Sequence, residues 1–205
     1  RPRHTFATSP MLAHCAQILA LLAFMSSATL AQSTFPASMP GVDIGTNLGK
    51  GFEPSGAAWH PRLELLFVVD DGGDLVSMDA SGAIQQVWST GLDLEGVCVA
   101  DPASSLIYIA LEHPDGVIEF DLASGTIKRF FDLTKTLKGP KDRGLEALTF
   151  VRDSGHAEGG LFYAGLQADG GVYVFELPIA SSTYKVGHAV LAVLAPVPGR
   201  DDISG

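Results

Sequence analysis

One pattern occurs three times in this chain. Leu65 to Asp79 (LLFVVDDGGDLVSMD) returns as Leu106 to Asp121 (LIYIALEHPDGVIEFD) and as Leu161 to Glu176 (LFYAGLQADGGVYVFE). Each copy is an apolar strand, a tight turn and a second, alternating strand. The turns Asp71-Gly72-Gly73, Asp115-Gly116 and Asp169-Gly170-Gly171 supply residues that tolerate positive φ. A repeating unit of roughly 40–55 residues built from hairpins is the sequence form of a β-propeller blade. The expected fold is therefore all-β. About three blades fit between Gly51 and Gly199, while a closed ring needs about four to eight. The end, Arg200 to Gly205, resembles the opening of another unit, so the sequence reads as a fragment of a longer protein.

The units open at Pro54, Leu94 and Leu145, with a stub at Ile203. Each opening is Ser or Glu, a small residue, then an apolar run, as expected for an inner strand buried on both faces. Ala83 to Trp88, Ile127 to Leu133 and Ala189 to Leu194 read as outer strands, the last after a longer connection. Lys135–Arg143 and Asp153–Gly160 read as exposed loops, and Val42 to Leu48 as a short strand able to close a ring.

Met11 begins a segment with the apolar run Ile18 to Met25, followed by small residues up to Ala31. This is the form of an export signal cleaved after Ala31, with 1–10 upstream of a start at Met11. The run is too short to cross a membrane. Residues 32–50 read as a linker and closing strand, and 51–205 as the partial propeller. The expected location is therefore the periplasm, the cell envelope or outside the cell. Cys98 lies in an apolar run and reads as a small buried hydrophobe, with Cys15 inside the signal. The formal charge of −10 excludes an electrostatic footprint for nucleic acid.

Repeats put equivalent residues at equivalent radii. The openings carry Ser55, Glu95, Glu146 and Ser204, with Glu53, Asp93 and Asp202 nearby. The hairpin strands end in Asp71, Glu112 and Gln167. Both series fall at strand ends, where a propeller turns side chains to its channel mouth. Glu53, Asp71, Glu95, Glu112 and Glu146 are the candidate ligands of one hard cation. Ca²⁺ suits such oxygens, and no His/Cys cluster favours Zn²⁺. The alternative is that these acids accept backbone N–H groups from the next blade and hold blades together. His60 reads as a turn residue and His113 as an exposed hairpin residue. No nucleophile elbow, phosphate loop or His-Glu-x-x-His motif is present.

Five segments, Glu53–Trp59 (EPSGAAW), Leu66–Asp71 (LFVVDD), Asp93–Val97 (DLEGV), Ala110–His113 (ALEH) and Gly144–Leu148 (GLEAL), resemble the SdiA-regulated (YjiK-like) exported β-propellers. More loosely they are similar to the esterase-like-phytase propellers. The resemblance covers roughly Gly51 to Leu177 and the stub. It implies a six-bladed ring when complete, an envelope location and calcium near the channel. Glu95, Glu112 and Glu146 match, and Gln167 departs. Three functions stay open: a ligand- or calcium-binding or structural module, a metal-dependent hydrolase of esters, lactones or phosphoesters by analogy with gluconolactonase-like propellers, and a protein-interaction platform. The expected partner is a small molecule or protein at the channel face.

Overall fold

The computed structural model describes residues 43–137, 139–140 and 142–181, and the backbone of 189–194. The signal, the linker up to residue 42, the stub at Ile203, Asp202 and Ser204 lie outside these residues. The first sheet runs β1 (Pro54–His60), β2 (Leu65–Asp70), β3 (Asp74–Met78) and β4 (Ile84–Ser89). The second runs β5 (Leu94–Cys98), β6 (Leu106–Leu111), β7 (Gly116–Asp121) and β8 (Thr126–Asp132). The third runs β9 (Leu145–Arg152), β10 (Gly160–Leu166), β11 (Gly171–Glu176) and β12 (Ala189–Leu194). Each is a four-stranded antiparallel meander whose spatial order follows the sequence. Inner strand β5 packs against both β1 and β9, so the sheets stand as successive blades. The fold is a β-propeller, and the described chain makes three of its blades.

Strand alternation assigns neighbouring residues to opposite interfaces. Ile107, Ile109 and Leu111 of β6 join Phe67, Val69 and Leu75 between the first and second blades. Tyr108 and Ala110 join Leu145, Phe162 and Phe175 between the second and third. Burying each Ile or Phe here contributes about 1.5–3 kcal/mol. The outward face of the first blade, Val68, Val76 and Met78, is covered by Ile44, Leu48 and Phe52. The segment expected as a closing strand is instead a single 3-10 turn over Gly45–Asn47. Asn47 Nδ2 anchors it by donating to the Gly82 carbonyl at 2.8 Å. Apolar residues four apart, Ile44 and Leu48, suit a turn lying on a blade better than an extended strand.

Only β5 matches the expectation of an inner strand buried throughout. β1 and β9 are partly exposed, because among the described residues each has an inner-strand neighbour on one side only. His60, expected as a turn residue, closes β1 and starts the turn to β2, where its Nδ1 accepts the Leu63 N–H at 3.3 Å; it is also fully buried. The loop Asp153–Gly160, expected to be exposed, is so except at His156, which is half-buried, and at Glu158 and Gly160, which are buried. Its Glu158 is buried and accepts the backbone N–H groups of Ala180 and Ser181 at 2.6 and 3.2 Å. In the other loop, Leu137 is drawn into the core.

Candidate metal centre at the inner strand ends

The inner strands start irregularly, and the irregularity aims the acids. Pairing with the second strand of each blade skips a residue at every opening: Ser55 in β1, Glu95 with Gly96 in β5, and Glu146 in β9. A β-bulge leaves its extra residue out of the ladder and re-aims its side chain. The bulged residues are the Ser/Glu series of the repeat. Close packing follows from the small residue next in line. A Cβ on Gly56 would meet the Glu95 carbonyl and lie 3.0 Å from Gly96 Cα. One on Gly96 would meet the Leu148 nitrogen and lie 2.8 Å from the Ala147 carbonyl carbon.

A second regularity sets the other acids beside the bulges. The N–H groups of Asp71, Glu112 and Gln167 donate to the carbonyls of Glu53, Asp93 and Gly144 at 3.5, 3.3 and 2.9 Å. The hairpin-end residue of each blade thus lies beside the residue just before its inner strand. In the first two blades both positions are acidic. In the third they are Gln167 and Gly144, so charge accumulates toward the first and second.

Together Glu53, Asp71, Glu95, Glu112 and Glu146 line one open cleft, joined by Ser55 and Asp142. All five sequence candidates therefore meet. Oxygens of Asp71, Asp93 and Glu95 lie within 4.8 Å of one another, as do donors of Asp93, Glu112 and His113. Asp93, next to the candidates in sequence, is the hub they left out. Its Oδ1 is buried without a hydrogen-bond partner. Burial, then the neighbouring Asp71, pushes its carboxyl up to about 6. Glu95 is 7% exposed and accepts no hydrogen bond from any described residue. Burial, then the charges of Glu146 and Asp93, pushes it up to about 8.

His113 is half-buried rather than an exposed hairpin residue. Its Nδ1 lies 3.2 Å from Glu112 Oε2 and 3.5 Å from Asp93 Oδ2. Glu112 also performs the alternative role of tying blades. Its Oε1 accepts the Gly144 N–H at 2.8 Å, and Asp115 Oδ1 accepts the next N–H, of Leu145, at 3.0 Å. Gly144 permits this approach, since a Cβ there would lie 2.6 Å from Asp115 Oδ1.

The donor set fits a hard cation. Ca²⁺ binds oxygens at about 2.3–2.6 Å, so ligand atoms around one ion lie no more than about 5 Å apart. An unpartnered carboxyl opening into the cleft and a buried oxygen without a partner beside it are groups that a cation would satisfy. Its charge would reverse the upward push on both acids.

No family model matches the chain, and no curated protein matches it. Among solved structures it is similar to the β-propeller domain of Cps50 (Swd1) from Myceliophteria thermophila, at 13% identity and TM-score 0.48, over 70% of this chain and 40% of that one. It is also similar to U3-55K (10%, TM-score 0.47, 75% and 42%) and to the WD40 repeats of RRP9 (10%, TM-score 0.48, 75% and 41%). The chain thus spans about two fifths of the length of these propellers. The fold assignment itself stands on strand order and blade packing.

Proposed function

We propose that this propeller is an exported calcium-binding module of the cell envelope, of the SdiA-regulated type, with the ion held by Asp71, Asp93 and Glu95 and flanked by Glu53, Glu112 and Glu146. The observation that carries the reading is Glu95, a residue only 7% exposed whose carboxyl opens among acids into the cleft with no donor to satisfy it. The segment from Met11 to Ala31 supports export. No helix among the described residues is long and apolar enough to cross a membrane.

Calcium titration of the chelator-treated chain, followed by calorimetry and by thermal unfolding, tests the reading. One Ca²⁺ per chain and a raised Tm are expected, and Glu95→Gln should remove both effects. A chain that takes up no calcium at millimolar concentration sinks it.

A second reading, a metal-dependent hydrolase, is favoured by the open cleft and by the imidazole of His113 at its side. A cation there would polarise an ester, lactone or phosphoester, and the protein would supply the base. A panel of these substrates with and without chelator decides it: chelator-sensitive turnover supports the hydrolase, and no turnover with calcium bound leaves a binding or structural module.

A further inference from the structure

Two donor groups meet at Asp93, and they differ in chemistry. Asp71, Asp93 and Glu95 offer oxygen alone, whereas Asp93, Glu112 and His113 include a ring nitrogen. Imidazole selects first-row transition ions, which carboxylates alone do not favour over Ca²⁺ or Mg²⁺. The spacing suits such an ion. With bonds of about 2.1 Å, adjacent ligand atoms of a tetrahedral or octahedral ion lie about 3.0–3.4 Å apart. His113 Nδ1 stands 3.2 Å from Glu112 Oε2 and 3.5 Å from Asp93 Oδ2.

The parts are also held for this purpose. Glu112 is anchored through its other oxygen, which accepts the Gly144 N–H at 2.8 Å, so Oε2 is presented in a fixed position. Such outer contacts orient a ligand before the ion arrives. Asp93 has an oxygen in reserve, since Oδ2 faces His113 while the buried Oδ1 has no partner. Glu95, nine-tenths buried as a residue and without a hydrogen bond from the described residues, completes the oxygen-only group that shares Asp93.

We propose that Asp93 bridges two divalent cations: a hard ion shared with Asp71 and Glu95, and a first-row transition ion of the Mn²⁺, Co²⁺ or Zn²⁺ class held by Glu112 and the Nδ1 of His113. The inference rests on the calcium reading above and adds the second ion, its ligands and its class. The competing occupant of the second position is a proton on His113, which would satisfy both neighbouring carboxylates without metal.

Co²⁺ is the probe, because its visible absorption reports nitrogen and oxygen ligation. The chelator-treated full chain is first saturated with Ca²⁺ and then titrated with Co²⁺. One Co²⁺ per chain should bind on top of the calcium. His113→Gln should weaken Co²⁺ by at least about tenfold and leave calcium affinity within about twofold. Asp93→Asn should weaken both ions. Circular dichroism of each variant confirms that the sheets are intact. One-for-one displacement of Co²⁺ by Ca²⁺, or Co²⁺ affinity unchanged in His113→Gln, overturns the bridge. Calcium binding with no uptake of Co²⁺ overturns the bridge alone. Failure of calcium to bind overturns the calcium reading, and the bridge with it.

Discussion

Glu95 is charged only at the expense of its neighbours. Its carboxyl is raised from an ordinary 4.5 to about 8, and that of Asp93 from 3.8 to about 6. A raised carboxyl stabilises the folded chain fully below its unfolded value and stops doing so as pH climbs through the folded one. The cation-free chain should therefore lose stability between about pH 4.5 and 8. Buried His60, whose basicity is lowered first by its burial, acts in the opposite sense: its contribution is present above 6.5 and lost as pH falls. Comparing urea midpoints of the wild type and Glu95→Gln across this range isolates the first effect. The wild-type slope should be the steeper, and the variant should be the more stable of the two at pH 8 in chelator. Equal slopes would show that Glu95 carries no buried charge. Arg129 tells a structural story. It pairs with Glu119, which also accepts from the Tyr108 hydroxyl at 3.0 Å. It donates as well to the carbonyls of Pro178 and Ile179, at 2.9 and 3.1 Å. Removing one partner of a buried pair leaves the other uncompensated, so Arg129→Met should cost about 3–5 kcal/mol, read from the same denaturation curves. A cost below about 1 kcal/mol would contradict this arrangement.

At the level of strands, the repeat announced most of the architecture. β1, β5 and β9 begin at Pro54, Leu94 and Leu145, and the Asp/Gly turns join the hairpins. Periodicity and turn chemistry are local properties, so they can be read along a chain. The bulges are not local. Ser55, Glu95 and Glu146 leave the ladder because of how each inner strand pairs with the next, and pairing register is invisible until both strands are placed. For the same reason the five candidate acids were legible from their alignment, whereas the central place of Asp93 and the orientation of His113 were not. Asp71 comes to Asp93 from the turn of the preceding blade, and His113 reaches Asp93 only once β5 and β6 are paired. The fate of His60 was hidden as well, since the buried space around it is made by residues far along the chain. The bulge of β5 also depends on Gly96, over which β9 passes at backbone distance. Gly96→Ala should push the inner strands apart, cost about 1–3 kcal/mol in thermal unfolding, and weaken calcium binding. An alanine variant with unchanged Tm would mean that the strands have room to spare.

On the scale of the molecule, carboxylates from three blades face one cleft. Any ion held there adds a link between blades that already meet through apolar cores and through side-chain ties such as that of Glu112 to Gly144. Calcium at about a hundred times its dissociation constant should therefore stabilise the chain by about 2.7 kcal/mol, seen as a Tm that climbs with calcium concentration. A Tm indifferent to calcium would rule out such a link. The alternation within β6 has a separate consequence. Ile107 and Tyr108 are adjacent in the chain yet belong to different cores. Deleting one residue from the middle of that strand would send each remaining side chain of its far half to the wrong neighbour, spoiling two junctions in a single event. Length changes in a lineage of such chains should therefore collect at the corners between strands, leaving the vanes in one reading frame while their sequences drift.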